Sequence, residues 1–256
     1  MSTPEAQKNG VPTLHHLSVC ISYSFIILYH LFLPANALGA DKNSQSQRIL
    51  WLLEELGIEY NLVLYSRVEH RAPKEMTKVH RLGRSPTLVT AEGRPIIESS
   101  AISAYLLKTY DTEGRFAGED WIRDEELTSF AGASMGVINV LELTLEVAAG
   151  RAPWPFVYIM RGVRREFNKA FTGAEFKKNL EYLESELGER EWFNGTHMSR
   201  SDVMLIFPVD NIATRGWVDV AKDYPKVDAW RKRILSSPAW KRGLERGNGY
   251  DLTVFA

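Results

Sequence analysis

The chain has 256 residues, with 31 basic and 32 acidic side chains and a formal net charge of −1 at pH 7. That length supports a sizeable core in one or two domains, and mixed charges with a pI near 6.6 leave no electrostatic footprint for nucleic acid. Cys20 is the single cysteine, which excludes an intrachain disulfide framework and any cysteine chemistry at the helix that begins near Ser44.

In chain order, the first 11 residues read as a flexible terminus. No Asp, Glu, Lys or Arg stands between Lys8 and Asp41, and Val19 to Leu33 is nearly all apolar or aromatic. From Ser44 the pattern becomes regular. Ser44-Gln-Ser-Gln-Arg48 opens a helix whose Ile49, Leu52, Leu53 and Leu56 follow the i, i+3, i+4, i+7 rule, and Gly57 closes it. Ile58, Tyr60, Leu62 and Leu64 alternate with polar partners and predict a strand, and Pro73-Lys-Glu-Met76 predicts a short helix. Thr87–Thr90 and Pro95–Glu98 predict a hairpin around Ala91-Glu-Gly-Arg94. A helix then begins at Ser99 and buries Ile102, Tyr105 and Leu106.

After Asp111 strand signals fade. Helical patterns run from Trp121 to about Ala149, break at Gly150-Arg-Ala-Pro-Trp-Pro155, and resume over 157–170, 174–187, 199–213 and 227–246. Ser199 and Asp202 have capping-box spacing, with Met198 as the staple residue. The basic run Arg161–Arg165 reads as a solvated helix face.

The densest chemistry lies between Arg84 and Ile102. A basic residue precedes Ser85-Pro86, a hairpin follows, and Glu98-Ser99 opens a helix. The backbone of Ser85 could pair with the main chain of a small peptide while the helix start at Ser99 takes its carboxylate. His15 and His16 are neighbours on a strand and so point to opposite faces, which argues against a shared metal; no metal site is predicted. Asn194-Gly-Thr196 is a glycosylation sequon that matters only in a secreted protein.

Taken in order, Ser46-Gln-Arg-Ile-Leu-Trp-Leu-Leu-Glu-Glu-Leu56, Arg71-Ala-Pro-Lys-Glu-Met76, Leu82-Gly-Arg-Ser-Pro86, Glu98-Ser-Ser-Ala-Ile102, Ser199-Arg-Ser-Asp202 and Ser237-Pro-Ala-Trp-Lys-Arg242 resemble the glutathione transferases, and within them the fungal yeast-type branch. The resemblance covers residues 12–17 and 42–247. It implies an α/β thioredoxin-like N-terminal domain over 12–111, interrupted at 18–41, followed by an all-α helical domain over 117–247 and a tail from 248 to 256. Leu14-His-His-Leu17 would be the first strand, although Ile27-Leu-Tyr-His-Leu31 imitates it and is a second candidate.

The same resemblance implies an enzyme with glutathione as co-substrate. Arg84 would pair with the glycine carboxylate, Ser85 before Pro86 with the cysteinyl main chain, Glu98 with the γ-glutamyl ammonium and Ser99 with its carboxylate. The thiol needs an activator, because at a pKa of about 8.5 it is only a few per cent ionised at neutral pH. A shift of about 2 units needs about 2.7 kcal/mol, within reach of one hydroxyl hydrogen bond and a helix N-terminus. Ser44 is the candidate for that hydroxyl; in the register of plant-type relatives Asn43 takes its place, and both remain open.

The expected reaction is addition of the glutathione thiol to a hydrophobic electrophile, in detoxification or secondary metabolism. Thiol-dependent isomerisation of a double bond and a non-catalytic binding or regulatory module are the alternatives. Trp121 or Trp154 could line the electrophile pocket. A cytoplasmic homodimer is implied by the family, with no nucleic-acid partner. The segment 18–41 is foreign to the pattern. It reads as retained intervening sequence, as a genuine loop or helix, or, less in keeping with its length and flanks, as a membrane or targeting segment.

Overall fold

The computed structural model describes residues 10–17, 45–66, 72–247 and 249–252. They form two compact units: the residues up to Phe116 together with those of Ser236–Asp251, and Ala117–Leu235.

The first unit is built on a sheet of β1 (Thr13–Leu17), β2 (Asn61–Tyr65), β3 (Thr87–Val89) and β4 (Pro95–Ile97), in the order β2-β1-β3-β4. β1 runs parallel to β2 and antiparallel to β3, and β4 folds back on β3. The β3–β4 turn closes through Gly93 N–H on Thr90 O at 2.9 Å, with Gly93 at φ 86, a conformation that favours glycine. The register sets Leu14, Leu62, Leu88 and Ile96 on one face and His15, Val63, Thr87 and Ile97 on the other. Residues 13–17 thus form the first strand; the rival 27–31 lies outside the described residues.

α1 (Gln47–Leu56) buries all four of its expected apolar positions, and Gly57 ends it at φ 66. The short helix after β2 is a 3-10 turn, Lys74–Lys78. α2 (Ser99–Tyr110) buries Ile102 and Leu106 as expected, but Ser103 is buried and Tyr105 only half-buried. Ser103 tolerates burial because its hydroxyl donates to Ser100 O at 2.9 Å, the local back-bonding open to a small hydroxyl.

The second unit is helical. α3 (Trp121–Ser129) passes through a π-helical turn at Phe130–Met135 into α4 (Gly136–Arg151), and α5 (Phe156–Phe167) through another at Asn168–Thr172 into α6 (Gly173–Leu187). α7 (Arg200–Thr214), α8 (Val220–Asp223) and α9 (Pro225–Ser236) follow. The predicted capping box forms: Ser199 N–H donates to Asp202 Oδ2 at 2.9 Å, and Met198 is buried beside it. Asp202 also accepts from Phe193 N–H at 3.1 Å and Trp230 Nε1 at 2.8 Å. Burial pushes its carboxyl up to about 6 against the pull of those donors. Arg164 of α5 reaches Glu142 and Glu146 of α4 at 2.9 and 2.8 Å, and Thr172 Oγ1 donates to the buried Glu142 at 2.5 Å.

The single helix expected over 227–246 is two. Ser237 caps α10 (Pro238–Arg246) by accepting from Trp240 N–H at 3.1 Å, and Pro238 occupies its first turn, where a missing N–H costs nothing. α10 lies with the first unit and explains why α1 also buries Gln47, Leu50 and Trp51. Two glycines allow the approach: a Cβ on Gly243 would sit 3.3 Å from Gln47 Nε2, and one on Gly247 3.0 Å from Leu50 Cδ2. Trp240 packs edge-on against Trp51 with centroids 5.7 Å apart. Glu54 then clamps the pair, accepting from Arg242 at 3.0 Å, Arg246 at 2.9 Å and Tyr60 OH at 2.5 Å. Burial and that bond to Glu54 push the Tyr60 phenol up.

Candidate active site

The β1–β3–β4 register brings the sequence-predicted residues of the first unit to one end of the sheet. Thr87 pairs with Ile97, so the stretch before β3, Arg84-Ser85-Pro86, lies beside the stretch after β4, Glu98-Ser99. Arg84 Nη1 and Glu98 Oε1 approach to 3.6 Å, both substantially exposed. Thr87 Oγ1 donates to Arg84 O at 2.6 Å and fixes the bend. The Ser85–Pro86 peptide bond is cis. Ser99 is the buried first residue of α2, where unpaired amide groups favour an anion.

Glu98 has φ 69 and ψ 120, the left-handed side of backbone space that a side chain rarely adopts. Such a conformation costs on the order of 1–3 kcal/mol and persists only where its surroundings over-determine it. Here its carbonyl accepts from Ile102 N–H at 2.9 Å as the first helical bond of α2, while its carboxylate reaches Arg84. A pair this exposed contributes little to stability. Each member can therefore turn to a ligand of opposite charge at small cost, the guanidinium to a carboxylate and the carboxylate to an ammonium.

The start of α1 reaches the same place. Asn43 and Ser44, the two candidates for the thiol contact, lie outside the described residues. Ser46 is described. Its carbonyl accepts the first two helical bonds of α1, from Ile49 and Leu50 N–H at 3.0 Å each. Its hydroxyl makes no cap bond and lies 2.7 Å from the hydroxyl of Ser85, 39 residues away. This contact and the strained backbone of Glu98 have no local sequence signal. The sequence reading also missed α10 as a separate helix, for which the i, i+4 spacing of Arg242 and Arg246 on one helix face was an unused signal.

The other residues singled out in the sequence have their own surroundings. His15 and His16 are both buried; burial lowers the first and holds the second down to about 4. His15 Nδ1 lies 3.0 Å from Tyr65 OH. Among the described residues no group of three or more His, Cys, Asp or Glu is placed to hold a metal. Asn194 is buried and its amide is engaged, donating to Asp120 O at 2.7 Å and accepting from Asp120 N–H at 3.2 Å, so its sequon has a structural use. Trp121 and Trp154 are among the most exposed apolar side chains of the helical unit.

The chain is similar to known proteins over most of its length. The glutathione S-transferase N-terminal domain model covers residues 44–109, and the C-terminal domain model residues 155–245. Glutathione S-transferase 3 of Schizosaccharomyces pombe is 30% identical over 234 residues, 90% of this chain and 91% of the relative. Glutathione S-transferase 1 of Saccharomyces cerevisiae is 28% identical over 215 residues, 80% of this chain and 92% of the relative. Among solved structures, a glutathione S-transferase from Actinobacillus pleuropneumoniae superposes with a TM-score of 0.67 at 26% identity, covering 96% of this chain and 97% of that one.

Proposed function

Because the chain belongs to the glutathione S-transferase family, in its yeast-type branch, and is a transferase with glutathione as co-substrate, we propose that the end of the sheet described above is where it binds and ionises the tripeptide. The observation that carries the reading is the convergence of Arg84, Ser85, Glu98 and Ser99 there, with Arg84 and Glu98 3.6 Å apart. Arg84 takes the glycine carboxylate, the main chain of Ser85 the cysteinyl residue, Glu98 the γ-glutamyl ammonium, and Ser99 with the start of α2 the γ-glutamyl carboxylate. The thiol then faces the start of α1, where Ser44, or Asn43 in the other register, donates a hydrogen bond that favours the thiolate over the thiol.

The thiolate adds to a hydrophobic electrophile, and the setting is detoxification or secondary metabolism in the cytoplasm. Two copies pair, as the family implies. The test is calorimetric titration of the purified chain with glutathione, followed by turnover of a chromogenic aryl halide. Binding with net glutathione consumption supports the reading. Binding without consumption points to isomerisation or a binding module, and absence of binding removes the site assignment.

A further inference from the structure

The contact between Ser46 and Ser85 is not what either residue would do alone. A serine at the start of a helix ordinarily turns its hydroxyl onto the amides of the first turn. Ser46 forgoes that bond: it sits at φ −65 and ψ −22, makes no cap bond, and meets Ser85 at 2.7 Å with the two residues 0% and 6% exposed. A hydroxyl pair at this distance is a well-formed hydrogen bond. It ties the first turn of α1 to the residue before Pro86, two segments far apart in sequence.

On the site reading above, on which this inference rests, those segments have complementary tasks. The main chain at Ser85 holds the cysteinyl residue, and the start of α1 receives its sulfur. We propose that Ser46 and Ser85 are a pair of positioning residues whose hydroxyl bridge sets the distance between the tripeptide's anchor and the helix end that ionises its thiol. Neither hydroxyl touches glutathione in this scheme. The buried bridge acts through the two backbones, and displacement of a reacting group by as little as about 1 Å can cost up to about a hundredfold in rate.

The test uses Ser46→Ala, Ser85→Ala, the double variant and Ser46→Thr, which keeps the hydroxyl. The readouts are the pKa of the bound thiol from the pH–rate profile, glutathione affinity, and thermal unfolding. Each single alanine variant is expected to raise the thiol pKa by about 0.5–1 unit and to lower kcat/KM by about 5–20-fold. The double variant should be no worse than the poorer single one, because both remove the same bridge. Ser46→Thr should recover most of the loss.

Unchanged thiol pKa values in both single variants overturn the proposal, as do losses that multiply in the double variant or that merely follow a fall in melting temperature. A wild-type protein that binds no glutathione overturns the site reading and the pair with it. A wild-type protein that ionises glutathione normally, beside unaffected single variants, overturns the pair alone.

Discussion

Ser99 and Glu98 show how much a single side chain can be asked to do at this site. Each is expected to meet a charged end of glutathione, and a charged group deprived of its partner loses about 1–3 kcal/mol. Ser99→Ala and Glu98→Ala should therefore each weaken glutathione binding by about 5–150-fold, and calorimetry giving wild-type affinity in both would sink the assignment. Ser44→Ala has a different signature. A hydroxyl that favours thiolate over thiol affects turnover more than affinity, so turnover should fall at least about tenfold with glutathione binding nearly unchanged. Should Ser44→Ala keep its rate and Asn43→Ala lose it, the role passes to Asn43. The gathering of Arg84, Ser85, Glu98 and Ser99 at one end of the sheet was legible because charged and hydroxyl groups flank the hairpin that follows Ser85-Pro86. The Ser46–Ser85 bridge was not, since a side-chain contact across 39 positions leaves no local pattern.

His16 carries a prediction of another kind. Its imidazole is buried, makes no hydrogen bond among the described residues at either nitrogen, and titrates near 4 in the folded chain because burial disfavours its charged form. The unfolded chain binds the proton more readily, with a pKa of about 6.5. Its contribution is therefore intact above that value and is lost as pH falls toward the folded one. Between roughly pH 7.5 and roughly pH 5 this one residue should cost about 2 kcal/mol of stability. His15 is shifted in the same direction, so the informative quantity is the difference between wild type and His16→Leu. Urea unfolding of that variant should show a flatter pH dependence; parallel curves for the two proteins would refute the argument.

At the scale of elements, α10 completes the first unit by covering α1. The sequence signals for it were present, a serine followed by proline at Ser237-Pro238, yet the apolar pattern on both sides runs on smoothly enough to read as one helix. Helical periodicity also says nothing about which partner a face will meet. Glu54 is the anchor of this packing. Burial opposes its charge, but its bonds to Tyr60, Arg242 and Arg246 outweigh that and hold its carboxyl below the usual range. Glu54→Ala should destabilise the protein by about 1–3 kcal/mol, since it strips charge-assisted bonds from Arg242 and Arg246. Gly243→Val should do at least as much harm, because bulk there presses on Gln47 and on the backbone of Trp51. Thermal unfolding measures both, and a wild-type melting temperature in Gly243→Val would show that α10 does not need its close approach.

For the whole molecule, the open question in the sequence is the charge-free stretch 18–41, which lies outside the described residues. β1 pairs with β2 on one side and β3 on the other, and α1 begins at Gln47 with Ser46 O accepting its first bonds. Lys42-Asn-Ser44 remains to link the two elements if the stretch is removed. A deletion of 18–41 should therefore fold, and it should be more active than the full chain. Its thiol-activating residue would be tethered closely at both ends, as a group that must hold a hydrogen bond of about 3 Å requires. Loss of the apolar run should also reduce aggregation, since exposed apolar surface invites association. Glutathione turnover per folded molecule and light scattering of the two proteins measure the outcome. A transcript lacking these codons would identify the stretch as retained intervening sequence. An insoluble or inactive deletion beside a fully active full-length chain would make 18–41 a working part of the fold.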